Sequence, residues 1–130
     1  MKKTISLCKN YEFYRAYKKG SFKAGRYLVI YAFKNRKGLS RLGISVGKKA
    51  GNSVQRSRLT RLIRESYRLT EENLKDGYDI VIAARPAKRG AEKPNRKIKA
   101  LYVPSFTEVN SELQKLMDKL DLFQEQGGGE

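Results

Sequence analysis

Arg41 to Arg68, RLGISVGKKAGNSVQRSRLTRLIRESYR, decides the fold, because its hydrophobic period changes partway along. Leu42, Ile44 and Val46 alternate with Arg41, Gly43 and Ser45, as a half-buried strand requires. A turn at Lys48-Lys49-Ala50-Gly51 follows, and either Asn52 or Ser53 can cap the next helix. In that helix Leu59, Leu62, Ile63, Ser66 and Leu69 fall within an arc of about 120°, which predicts the packed face. Arg56, Arg61, Arg64 and Arg68 take the remaining surface, and Ser57, Arg61, Arg64 and Arg68 form one stripe at i, i+4, i+7 and i+11.

This stretch holds eight of the 29 Lys and Arg residues and one acid, Glu65. A solvated amphipathic helix usually mixes signs so that i,i+4 pairs can form. Five arginines against one acid repel each other unless a polyanion answers them, and the planar guanidinium suits bidentate phosphate binding.

The imbalance extends beyond the helix. The formal net charge is +16, but residues 105 to 130 carry six acids and two bases, so residues 1 to 104 carry 27 bases and seven acids, a net of +20. Charge of that size implies nucleic acid or an anionic membrane. The membrane is the weaker choice: no apolar run approaches the roughly 20 residues of a span. After Met1-Lys2-Lys3 only Ile5, Leu7 and Cys8 are apolar, too few for a signal peptide, and one cysteine forms no internal disulfide. Both point to the cytoplasm, with Cys8 a small packing residue.

Outward from the central stretch, residues 10 to 19 read as a helix begun by Asn10 and stopped by Gly20, with Phe13, Ala16 and Tyr17 on one side. Such a stripe can be core; aromatics among bases also suit single-stranded RNA, whose bases stack on rings. Tyr27 to Phe33 reads as a central strand, with Leu28, Ile30 and Ala32 against Tyr27, Val29, Tyr31 and Phe33. Asn35-Arg36-Lys37-Gly38 reads as a hairpin that sets this strand antiparallel beside the one at Leu42 to Val46. The arginine helix should run to about Lys75 before Asp76-Gly77, and Tyr78 to Ala84 is a further core strand.

The rest of the chain has two parts. The basic connection at about 86–104 is either a mobile arm or a solvated loop. Ser105 and Glu108 then form a capping-box pattern ahead of Phe106, Val109, Leu113, Leu116, Met117, Leu120 and Phe123 at helical spacing. This helix is the expected lid of the sheet, and its acids make it a poor surface for RNA. The expectation is one RNA-binding domain over 1–124 with a flexible tail at 125–130. Its fold class is α+β, a mainly antiparallel sheet with helices packed on one face.

The run Gly51-Asn52-Ser53-Val54-Gln55-Arg56-Ser57-Arg58-Leu59-Thr60-Arg61-Leu62-Ile63-Arg64-Glu65, after a strand and Lys48-Lys49, resembles the signature of the bacterial ribonuclease P protein subunit. Ser57 stands where that family usually has Asn, and Thr60 where it usually has Lys. Phe13, Tyr17 and Gly20 also match a family pattern, and Tyr31 and Arg85 fall at family positions. The resemblance implies a four-stranded sheet in the order α-β-β-β-α-β-α, with a left-handed β-α-β crossover. It implies that Lys48, Lys49, Asn52, Arg56, Ser57, Arg58, Arg61, Arg64 and Arg68 bind the catalytic RNA subunit. It further implies that Phe13, Tyr17, Tyr31 and Arg85 hold the 5′ leader of precursor tRNA. The holoenzyme of that family is an endoribonuclease that uses Mg2+ held mainly by RNA.

The chain's own residues argue against protein catalysis. It has no histidine, and the acids before residue 105, Glu12, Glu65, Glu71, Glu72, Asp76, Asp79 and Glu92, are scattered through predicted helix ends and loops. No catalytic or metal-binding residue is expected. A structural ribosomal protein shares the size, charge and lack of catalytic groups. A DNA-binding module is a further alternative, but the arginine helix lacks an Asn, Gln and Arg pattern for base edges and a preceding helix-turn-helix partner.

Overall fold

The computed structural model describes residues 4–7, 10–35, 38–85 and 104–124. Cys8, Arg36-Lys37 in the expected hairpin, nearly all of the 86–104 connection and the tail at 125–130 lie outside the described residues. The elements are β1 (Thr4–Ser6), α1 (Asn10–Lys19), β2 (Ser21–Ala24), β3 (Leu28–Lys34), β4 (Ser40–Ser45), α2 (Ser53–Thr70), β5 (Tyr78–Ala84) and α3 (Phe106–Lys119). Short 3-10 turns at Lys48–Ala50 and Glu71–Asn73 flank α2.

The sheet has five strands in the order β1-β4-β5-β3-β2. β2 and β5 pair antiparallel to β3, while β1 and β5 pair parallel to β4. This corrects three expectations. The sheet is mixed and five-stranded, not a mainly antiparallel four-stranded one. β3 and β4 are not neighbours, because β5 lies between them. The helices occupy both faces, not one.

Each correction has a physical cause. Ile80, Val81 and Ile82 are fully buried, and a strand apolar on both sides belongs in the centre of a sheet. The β4-α2-β5 crossover delivers it there, next to β4. Asn35 donates its backbone N–H to the Gly77 carbonyl (2.8 Å), so the residue that follows β3 is tied to the one before β5. The two short edge strands escape notice because neither is long enough to show a period.

β5 also separates two cores. Ile80 and Ile82 point into the larger one with Leu28, Ile30 and Leu42 of the sheet, Leu59, Ile63 and Tyr67 of α2, and Val109, Leu113 and Met117 of α3. Val81 points the other way, against Leu7 and Ala16, with Phe13, Tyr31 and Phe33 around them. α1 therefore covers the face opposite α2 and α3. The packed stripe of α2 is Leu59, Ile63, Ser66, Tyr67 and Thr70. Leu62 is only partly buried and Leu69 is 56% exposed, so the arc is rotated from the predicted one. Tyr67, 1% exposed, takes the inner place and bonds through its hydroxyl to that of Thr4 (3.1 Å), beside the edge strand β1.

Both helix caps form as boxes. Asn52, rather than Ser53, caps α2 with Gln55, and Ser105 caps α3 with Glu108. Two acids of α3, Glu108 and Glu112, have structural partners. Glu112 accepts the backbone N–H groups of Arg26, Tyr27 and Leu28 at 2.8, 2.7 and 2.6 Å, where the chain enters β3. Glu108 accepts the Tyr27 hydroxyl (2.9 Å). Gly25 leaves the room this needs, since a Cβ there would stand 2.5 Å from the Glu112 carboxyl carbon. Glu112→Ala strands those donors and should lower stability by about 2 kcal/mol or more, read as a fall in the urea midpoint at unchanged m.

Candidate nucleic-acid interface

Three open grooves meet at the end of β4, where the hydrophobic period of the chain changes. The first, about 440 Å³, is lined by Val46, Ser53, Arg56, Ser57, Thr60, Arg61 and Arg64. Asn52 Oδ1 accepts the Gln55 N–H (2.8 Å) and Gln55 Oε1 accepts the Asn52 N–H (2.8 Å), fixing the start of α2 beside it. The Thr60 hydroxyl donates to the Arg56 carbonyl (2.8 Å), so it is turned back on its own helix. Arg56 Nε is buried with no hydrogen-bond partner among the described residues.

A further groove of about 370 Å³ borders the same helix, lined by Arg58, Arg61, Leu62, Arg64, Glu65 and Phe106. Arg61 and Arg64, the middle of the predicted stripe, thus form a ridge shared by both grooves along α2, while Ser57 borders only the first and Arg68 neither. Arg68 is held by Glu65, the one acid of the stretch. The guanidinium hydrogen bond holds the Glu65 carboxyl below its ordinary range.

The second groove at the end of β4, about 530 Å³, is lined by Ser45, Gly47, Lys48, Lys49, Ala50, Ala83 and Ala84. Lys48 and Lys49 stand exposed, and the expected turn takes the form of a 3-10 helix.

The third groove, about 410 Å³, is lined by Asn10, Phe13, Tyr14, Tyr17, Ile44 and Ser45. Phe13 and Tyr17 have ring centroids 6.5 Å apart, and Tyr31 meets Tyr17 edge-on at 4.7 Å. The structure therefore brings these three predicted aromatics together, partly packed and partly open. Gly43 makes this possible: a Cβ there would lie 2.6 Å from the Phe13 ring. Arg85 is not in the lining of this groove. Its guanidinium donates to the Gly25 carbonyl (2.7 Å) at the far end of the β2-β3 hairpin.

Sequence reasoning missed two aromatics and one charged cluster. Tyr14 lies off the packed side of α1, and Phe22 sits on the four-residue β2, 5.6 Å from Tyr31. The cluster centres on Arg41, whose Nε donates to Asp79 Oδ1 (2.9 Å) and whose Nη2 donates to Asp79 Oδ2 (2.8 Å). Arg41 also pairs with Glu12, while Arg15 (3.2 Å) and the Asn35 amide (2.8 Å) donate to Asp79. Two of the acids read as scattered therefore converge, but on an arginine. The signal available was a lone Asp in the otherwise apolar YDIVIAA strand, since a fully buried carboxylate must be paired.

Burial opposes ionisation of Asp79, but the hydrogen bonds from Arg41 and Asn35 and the charge of Arg41 outweigh it, and its carboxyl lies below the ordinary value. Among the described residues no group of three or more His, Cys, Asp or Glu could hold a metal, and no helix is long and apolar enough to cross a membrane.

Fold and site together define a small basic α+β protein whose parallel β-α-β unit presents an arginine helix beside a cleft of aromatic rings. The ribonuclease P family model matches residues 1–121. The ribonuclease P protein component of Clostridium kluyveri is 40% identical over 117 residues, covering 88% of this chain and 93% of that one. That of Clostridioides difficile is 38% identical over 121 residues, covering 92% and 95%. Among solved structures, the RNase P protein of Staphylococcus aureus superposes with a TM-score of 0.72 at 30% identity, over 92% of this chain and 97% of that one. The protein from Thermotoga maritima gives 0.69 at 30% identity, over 88% and 96%.

The chain belongs to the ribonuclease P family. It is similar over most of its length to the protein component of that endoribonuclease, and the family implies a part in tRNA 5′ processing.

Asp79→Asn removes the bidentate one of the two carboxylates facing Arg41 and should cost about 3 kcal/mol at neutral pH. The lowered carboxyl contributes stability that is present above its unfolded value and lost as pH falls through the folded one. The gap between wild type and variant should accordingly narrow below about pH 4, which thermal melts across pH would show.

Proposed function

We propose that this chain is the protein cofactor of a ribozyme: the arginine ridge docks the catalytic RNA, and the aromatic groove holds the single-stranded 5′ leader of precursor tRNA. The observation that carries this reading is the meeting of three grooves at the end of β4. Ile44 and Ser45 border the aromatic groove, Val46 the arginine groove, and Ser45, Gly47, Lys48 and Lys49 the lysine groove. A substrate strand and a second RNA held there would lie side by side, and their mutual repulsion is what cations between them offset.

Each residue has a distinct task. Arg56, Arg58, Arg61, Arg64 and Arg68, with Ser57, Lys48 and Lys49, meet phosphates of the catalytic RNA. Asn52 sets the start of the helix that carries them. Phe13, Tyr17 and Tyr31 offer ring faces and edges to unpaired bases, and stacking tolerates any leader sequence because every base has a π-face. Arg85, already engaged with Gly25, contributes charge beyond the groove.

The described residues do not fit a Mg2+ site, since Glu12 and Asp79 face Arg41. The RNA subunit is the proposed holder of Mg2+ and of the cleavage chemistry, the protein supplying position and charge in the cytoplasm.

Two measurements test the division of tasks. Arg61→Ala with Arg64→Ala should flatten the salt dependence of catalytic-RNA binding by about two units, one per lost phosphate contact; an unchanged slope removes α2 from that interface. Phe13→Leu with Tyr17→Leu should weaken binding of precursor tRNA by the holoenzyme and leave mature tRNA unaffected. Equal losses on both would return the two rings to a packing role.

A further inference from the structure

We infer that Phe22 is an additional nucleobase-stacking position, extending the leader path from the aromatic groove across the sheet to its β2 edge; this rests on the leader-groove reading above. Phe22 lies directly opposite Tyr31 in the β2-β3 register, and residues paired across antiparallel strands point to the same face. That face is the one covered by α1, since Tyr31 packs against the core formed by Leu7, Ala16 and Val81. The Phe22 and Tyr31 rings are 5.6 Å apart with planes inclined by 32°. Phe13, Tyr17, Tyr31 and Phe22 therefore form an unbroken file of rings, each in reach of the next.

Packing does not account for Phe22. It is 58% exposed, on a strand whose four residues are all exposed. A large aromatic left open beside a file of rings, in a chain of net charge +16, fits an unpaired base of a polyanion. Lys18 and Lys19 in the last turn of α1 run into β2 through Gly20 and supply cations for the backbone. Gly20 sets that approach, since a Cβ there would stand 2.6 Å from the Ala16 carbonyl oxygen and 2.7 Å from that of Ala32.

The geometry also gives a direction. The groove shares Ile44 and Ser45 with the end of β4, whereas β2 is three strands away, about 14 Å at ordinary strand spacing. Phe22 thus meets a nucleotide farther from the catalytic RNA than those held by Phe13 and Tyr17.

The test is binding by the reconstituted holoenzyme of precursor tRNAs whose leaders lengthen one nucleotide at a time, with mature tRNA as reference. Phe22→Ala should match wild type on mature tRNA and short leaders and lose about fivefold or more once the leader is long enough to reach β2. Phe22→Tyr should keep that gain. Loss of equal size on every substrate, or none at any length, overturns the inference. So does a Phe22→Ala protein that changes only its sedimentation, which would make the edge a contact between copies of the chain. The Phe13→Leu, Tyr17→Leu protein, run in the same series, separates the two readings. If it binds every leader as wild type does, the groove assignment fails and takes Phe22 with it. If it loses affinity while Phe22→Ala never does, only the Phe22 inference fails.

Discussion

The bidentate pair between Arg41 and Asp79 is the constraint on which the arrangement depends. The two residues are register partners on adjacent parallel strands, so their pairing fixes β4 against β5. Glu12 and Arg15 bring α1 to the same point, and Asn35 brings the connection from β3. Desolvating these charges is costly, so the cluster is better understood as selecting one arrangement than as a source of net stability. Favourable burial comes from the apolar cores on the two faces of the sheet, which alone would tolerate α1 at more than one angle. Anchored by Glu12, the next residue, Phe13, lies over Gly43, and the groove acquires a wall.

Charge is separated in space as well as in sequence. α2 turns its packed side to the larger core and leaves Arg58, Arg61, Arg64 and Arg68 on the outside, where Arg61 and Arg64 front two grooves. α3 closes the same core, yet Glu108 and Glu112 are occupied with Tyr27 and with the backbone entering β3. Carboxylates that satisfy donors within the protein present less negative surface to a polyanion. One helix therefore acts outward and the other inward, although both are amphipathic and both begin with a capping box.

What was legible in the sequence follows from the range of each signal. The long periodic elements α1, α2, α3, β3 and β5 were readable because their patterns are local, and so was the succession of β4, α2 and β5, though not the parallel pairing of its two strands. The resemblance singled out Phe13, Tyr17 and Tyr31, and the structure brings these rings into contact. Strand order was not readable, because the insertion of β5 between β3 and β4 is a long-range outcome that a plausible hairpin at residues 35–38 conceals. The rotation of the α2 stripe from Leu69 to Tyr67 brings Tyr67 into the larger core and its hydroxyl to Thr4, more than sixty residues away. Arg41 looked like the polar side of a strand, and only the tertiary approach of Glu12 and Asp79 reveals it as buried.

The proposed role, assistance to an RNA catalyst instead of cleavage by the protein itself, has a direct test. Cleavage of a precursor tRNA is followed at low Mg2+ with the cognate catalytic RNA alone, the protein alone, and the two together. Under the proposed role only the mixture cleaves, at the mature 5′ end. A mixture no faster than the RNA alone, or cleavage at that position by the protein alone, would contradict it.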